Sequence, residues 1–210
     1  MFVTWFTYLD DGSPVWYQAV APYANPWVGK LHRFTWNPAR GFVDLSEVGE
    51  LRMNFTSASA TSFSWKLGAR SGVEAMQPLI AGKALSVPDR TGNWYDAQEP
   101  GWGMTIYTVG AARVAVGYFY DAANQPRWVI GQGDNVAAAT LAMNSLRGFC
   151  PDCALTAPVA ADGGSLSLNF QNARRGSAST DFKYGPGAAW RRSAVTITPL
   201  SEPALHPERL

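Results

Sequence analysis

Residues Thr91 to Asp134 read TGNWYDAQEPGWGMTIYTVGAARVAVGYFYDAANQPRWVIGQGD, and the second half of this stretch reappears at the start of the chain as FVTWFTYLDDGSPVWYQAV, Phe2 to Val20. Aligning Pro14 with Pro126 places Phe6 on Tyr118, Tyr8 on Tyr120, Gly12 on Asn124 and Trp16 on Trp128 without a gap. Each copy spells an aromatic strand, a tight turn and a returning Pro-x-Trp strand, which is the pattern of a β-hairpin. Gly12 and Asn124 hold the same turn position, and both residue types tolerate positive φ, so a left-handed turn residue is expected in each copy. The proline then opens the returning strand, where a missing N–H does least damage.

The repeat extends outward from the hairpins. Gly49-Glu-Leu-Arg-Met-Asn-Phe55 matches Gly164-Ser-Leu-Ser-Leu-Asn-Phe170, with apolar residues alternating with polar ones in both, the period of a strand with one buried face. Ser62-Phe63-Ser64-Trp65 is set against Asp181-Phe182-Lys183-Tyr184 as the next strand, and Met76-Gln77-Pro78-Leu79 against Ile197-Thr198-Pro199-Leu200 as the last. No segment carries a helical apolar stripe. The expected fold is all-β, with two tandem antiparallel meander units, each a small barrel or sandwich. Their extents are 1–79 for the first unit and 91–200 for the second, with 80–90 as linker and 201–210 as a tail.

The two copies differ at their beginnings. Met1 aligns with Arg113, so copy one has no counterpart of Thr91 to Ala112 and lacks the leading Trp-x(5)-Pro-Gly-Trp-Gly segment. A unit without its leading strand exposes a sheet edge, so association through residues 2–8 is expected, as is a natural start upstream of Met1.

Composition fits this architecture. Hydrophobic residues make up 47% of the 210, enough to build cores, while charged residues make up only 16%. Aromatics reach 13%, with 9 Trp, and there are 20 Gly, a profile suited to β-structure. The formal net charge of +1 and the lack of a basic run give nucleic acid no electrostatic footprint. No stretch approaches the roughly 18 apolar residues of a spanning helix, and no cofactor signature is present.

The motifs carrying Trp94, Pro100-Gly101-Trp102-Gly103 and the Tyr120-Asp121-x-x-Asn124-x-Pro126-x-Trp128 hairpin resemble those of tandem aromatic-repeat proteins among the exported proteins of Gram-negative bacteria. The resemblance covers nearly the whole chain and implies a β-rich repeat and a secreted, periplasmic or cell-surface location. Gly92-Asn93-Trp94-Tyr95 also resembles the first strand of avidin-type barrels over those four residues.

Chemistry is sparse. Cys150-Pro-Asp-Cys153 is the sole cysteine pair, and the two histidines, His32 and His206, stand elsewhere in the chain, so four zinc ligands do not assemble from the sequence. A loop-pinning disulfide between Cys150 and Cys153, with no metal, is the expectation; it suits an oxidising compartment. Asp96 and Glu99 flank the Gly-Trp-Gly strand, and paired carboxylates near Trp are what glycoside hydrolysis uses. The competing reading makes Asp96 a turn cap. Ser71 lacks the spacing of a nucleophile elbow, and neither a phosphate loop nor a His-Glu-x-x-His motif occurs. Trp5, Trp94, Trp102 and Trp128 are the candidates for a carbohydrate or protein platform, since a ring on an outward strand face can stack on a ligand, whereas an inward one is core. His32 is expected on a strand surface. The sequence favours a non-catalytic binding or adhesion module, with a glycosidase-like hydrolase or a purely structural repeat as alternatives.

Overall fold

The computed structural model describes residues 1–57, 59–78, 89–109, 111–134 and 139–200. Most of the linker expected at 80–90, and the whole of the tail at 201–210, lie outside them. Among the described residues every regular element is a strand.

The first repeat supplies β1 (Phe2–Tyr8), β2 (Pro14–Val20), β3 (Trp27–Asn37), β4 (Phe42–Ser57), β5 (Ala60–Leu67) and β6 (Arg70–Met76). They form a six-stranded antiparallel sheet in chain order. The second begins with β7 (Gly92–Tyr95) and β8 (Gly103–Val109), then runs through β9 (Ala112–Tyr120), β10 (Pro126–Gly133), β11 (Thr140–Arg147), β12 (Val159–Asn172), β13 (Arg175–Phe182) and β14 (Trp190–Pro199). These eight strands close into an up-and-down barrel, because β7 pairs with β14 through Thr198 opposite Tyr95 and Pro199 opposite Trp94. Eight strands leave an interior that side chains alone can fill.

The strands correspond one to one, β1 with β9 through β6 with β14. The segment of the second repeat without a counterpart in residues 1–79 therefore amounts to two strands, β7 and β8; the six described strands of the first repeat form an open sheet and the eight of the second a closed barrel. The hairpin turns behave as the shared pattern requires: φ is 76° at Gly12 and 62° at Asn124.

Strand register corrects one step of the sequence alignment. Met53 faces Phe63 and Leu51 faces Trp65 in the first repeat, while Leu168 faces Ala178 and Leu166 faces Thr180 in the second. The counterparts of Phe63 and Trp65 are thus Ala178 and Thr180, not Phe182 and Tyr184. Matching by side-chain type slipped four residues along a strand whose alternation is the same in either setting.

This correction explains how two cores of different strand number are filled. In the barrel, β7, β8 and the turn between them contribute Trp94, Trp102, Met104 and Ile106, all at most 2% exposed, against the small residues Gly117, Ala178 and Thr180. The open sheet lacks those four side chains and carries Trp5, Phe63 and Trp65 at the corresponding positions. Trp5 packs its ring 5.4 Å from that of Phe63 and 5.6 Å from that of Trp65. The large side chains of the two cores thus come from different strands.

By compactness the chain divides into two units that do not follow a single linear cut. The first comprises Met1–Ala81, Ala123–Trp128 and Leu146–Ala160; the second comprises Gly82–Ala122, Val129–Ser145 and Ala161–Leu210. No helix of the described residues is long and apolar enough to cross a membrane.

Candidate functional site

The two edges of the six-stranded sheet are β1 and β6, and they differ in cover. Within the first unit, the Trp128 indole donates to the Thr7 carbonyl at 3.0 Å, and its ring lies 5.4 Å from Tyr8 and 5.9 Å from Phe6. Phe149 adds a further ring 6.5 Å from Tyr8. The C-terminal half of β1, expected to offer an open edge, is therefore covered by elements of the same unit, and Thr7 is buried.

β6 is open. It pairs with β5 from Arg70 opposite Leu67 to Met76 opposite Thr61, and no described strand lies against its other side. Its counterpart β14 carries β7 on that side, and the Leu200 amide extends the pairing by donating to the Asn93 carbonyl at 2.7 Å. Val73 and Met76 of β6 are 71% and 42% exposed. A groove of about 290 Å³ opens over the neighbouring ends of β4, β5 and β6, lined by Thr56, by Ala60 to Ser62 and by Val73 to Gln77. Of the ten large apolar side chains exposed among the described residues, nine belong to the first unit and only Leu200 to the second.

The Trp candidates are placed differently from the expected platform. Trp94 and Trp102 are each 2% exposed and Trp128 is 6% exposed, so none of these rings presents a face to solvent. Each indole N–H has an internal acceptor: the Arg90 carbonyl at 2.9 Å for Trp94, Glu99 Oε2 at 3.2 Å for Trp102, and Thr7 for Trp128. Trp94 also meets the Phe170 ring edge-on at 4.9 Å. For Trp94 and Trp102 the physical reason is volume, since an eight-stranded barrel is filled by its bulkiest inward residues, whereas Trp128 is buried against Phe6 and Tyr8 of β1. Trp5 is half-buried in the core of the open sheet.

The carboxylate pair is occupied structurally. Asp96 is buried and accepts the Gln98 amide through Oδ1 at 2.8 Å, an Asx turn. Glu99 makes a two-pronged ion pair with the Arg192 guanidinium while accepting from Trp102. Arg192 in turn lies 4.0 Å above the Trp190 ring. These contacts fasten the β7–β8 turn to β14. His32 is half-buried on β3, in register with Gln18 and Glu47.

Cys150 and Cys153 form a disulfide within a one-turn loop closed by the Cys153 amide on the Cys150 carbonyl at 2.9 Å. Around it stands a cluster that sequence reasoning missed, because its members come from three separate stretches of the first unit. Arg70, at the start of β6, ion-pairs with Asp10 in the β1–β2 turn and with Asp152 between the cysteines, and its Nη2 lies 2.8 Å from Cys150 Sγ. Cys150 is 2% exposed, whereas Cys153 is exposed. The signal available in the sequence for β6 itself was the parallel between Met76-Gln-Pro and Ile197-Thr-Pro, which marks β6 as an edge wherever β7 has no counterpart.

No protein-family model matches the chain, and neither a curated protein nor a solved structure matches it.

Proposed function

We propose that the chain is a non-catalytic binding module of an exported bacterial protein, and that it takes an extended polypeptide along the outer edge of β6. The observation that carries this reading is the unequal fate of two corresponding edges: β14 is completed by β7, while β6 meets no described strand and displays Val73 and Met76 beside a groove. Strand addition draws affinity from main-chain hydrogen bonds and selectivity from pockets that take alternate side chains. The ligand that fits is one like β7, a short extended segment that pairs with the free main chain of β6. Export is supported by the disulfide and by the resemblance to exported aromatic-repeat proteins.

The test is a titration of the isotope-labelled full chain with a synthetic peptide spanning Arg90 to Asp96. Amide shifts confined to Arg70–Met76, and lost in Ala75→Pro, are expected; shifts elsewhere, or none at millimolar peptide, would refute the site. Recovery of the native protein from the cytoplasm of its host would refute export.

A further inference from the structure

The Cys150–Cys153 disulfide presents its two sulfurs unequally. Cys153 is exposed, at the outer end of the loop, whereas Cys150 is enclosed and has the Arg70 guanidinium 2.8 Å from its sulfur. Two features govern thiol–disulfide exchange: which sulfur an incoming thiolate can reach, and how well the other sulfur leaves as a thiolate. Here access selects Cys153 as the sulfur attacked, and the Arg70 contact favours Cys150 as the sulfur released.

We infer that this disulfide is a site of thiol–disulfide exchange with small thiols, attacked at Cys153 and releasing Cys150 as the leaving thiolate. An external thiolate RS⁻ attacks Cys153 Sγ along the S–S axis, an RS–Cys153 bond forms, the S–S bond breaks, and its electron pair passes to Cys150 Sγ beside the guanidinium. A second RS⁻ attacks the sulfur of the bound RS group, expelling Cys153 as thiolate and forming RSSR. The net reaction consumes two thiols and one protein disulfide and yields RSSR and two cysteine thiols.

The electrostatics of the leaving sulfur are mixed, and distance decides among them. Asp152 Oδ1 stands 3.3 Å from Cys150 Sγ, and a carboxylate oxygen of Asp10 lies within 4.8 Å of both sulfurs. Arg70 is nearer, and both carboxylates are turned onto it by ion pairs. A cation in direct contact favours the thiolate. The loop offers little resistance of its own, since so few residues are enclosed that closing it confers little chain entropy. Arg70 acts through Cys150 and is a positioning residue for this exchange.

The experiment uses the oxidised full-length chain, reduced glutathione at limited conversion, an N-ethylmaleimide quench and peptide mass spectrometry. Glutathione on Cys153 with maleimide on Cys150 is expected. Glutathione on Cys150, an even distribution, or no reaction under conditions that open the disulfide of the free peptide Phe149–Ala154, would overturn the inference. Arg70→Gln is expected to slow reduction roughly tenfold while Arg70→Lys retains most of the rate. An unchanged rate in Arg70→Gln would remove Arg70 from the account. The adduct map on the unsubstituted protein decides the direction of attack even where a variant fails to fold.

Discussion

The Trp5 ring lies 5.6 Å from that of Trp65, and the second repeat has no such contact because the corresponding residues are Gly117 and Thr180. Two repeats of shared sequence pattern thus solve the same packing problem with opposite distributions of bulk. One draws its large residues from two additional strands, and the other from β1 and β5.

Trp5→Ala is expected to cost the first unit about 3 kcal/mol, the lower end of the range for removing a buried ring, because Trp5 is half-buried rather than enclosed. Hydrogen exchange resolved by segment would report it as lost protection in β1 to β6 with β11 to β14 unchanged. Protection retained in β1 and β5 would show that the ring is ornamental to the core.

The reciprocal change tests the other side of the argument. A Cβ at Gly117 would meet Phe182 Cζ at 2.4 Å, and Phe182 is fully buried with Phe119 against it at 5.4 Å. Gly117→Ala is expected to destabilise the barrel by about 1–3 kcal/mol through overpacking. A melting temperature unchanged from that of the parent would mean the Phe182 ring has room to retreat.

Glu99 is expected to matter to folding. Its carboxylate and the Arg192 guanidinium are both less than a third exposed, and Glu99 also accepts the Trp102 N–H. Glu99→Gln should lower stability by about 1–2 kcal/mol, as for a charge-assisted hydrogen bond partly screened by solvent. Arg192→Met should cost a comparable amount, and the double variant less than the sum, since the two residues share one interaction. Full additivity in denaturant titrations would show that they act independently.

Alkaline pH should open the barrel. Burial pushes the phenols of Tyr118 and Tyr120 well above their ordinary range, and for Tyr120 the neighbouring Tyr118 adds to the effect. A raised folded-state pKa means that the neutral form is bound into the fold. The associated stability is fully present below the unfolded value of about 10 and is lost as pH rises beyond it, by up to about 1.4 kcal/mol per pH unit for each group. Tyr120→Phe gives up a 2.7 Å hydrogen bond to the Gly101 carbonyl, so it should be about 1 kcal/mol less stable at neutral pH yet lose less between pH 10 and 12. Parallel pH profiles for the two proteins would contradict this assignment.

The strands, their order and the hairpin turns could be read from the sequence because they depend on local period and turn chemistry, which Phe2–Val20 and Val114–Gly133 state twice. The site could not. Burial of Trp94 and Trp102 depends on their facing the inside of a closed barrel, and that of Trp128 on the Phe6 and Tyr8 rings packed against it, and an aromatic strand with rings on both faces gives no sign of either. The Arg70 cluster draws on residues 60 and 82 positions apart, a proximity that only the tertiary fold creates. The slip between Phe63 and Phe182 has a similar origin, since alternation fixes the face of a residue but not its place along the strand.

The shared turn position offers the sharpest test of how far the repeats are interchangeable. Gly12 and Asn124 both adopt left-handed φ, so conformation alone would permit either residue at either site. Their surroundings differ, because a Cβ on Gly12 would lie 2.8 Å from the Gly148 carbonyl oxygen, and the Gly148 amide is already bound to the Gly12 carbonyl at 3.1 Å. Backbone held by a reciprocal contact cannot give way as a flexible side chain would. Asn124→Gly is therefore expected to change stability by less than about 1 kcal/mol, whereas Gly12→Asn should cost about 1–3 kcal/mol and loosen the segment leading to Cys150. Faster glutathione cleavage of Cys150–Cys153 in Gly12→Asn, with an unchanged rate in Asn124→Gly, is the outcome this contact requires, and equal rates in both would show that the turn and the disulfide loop are uncoupled.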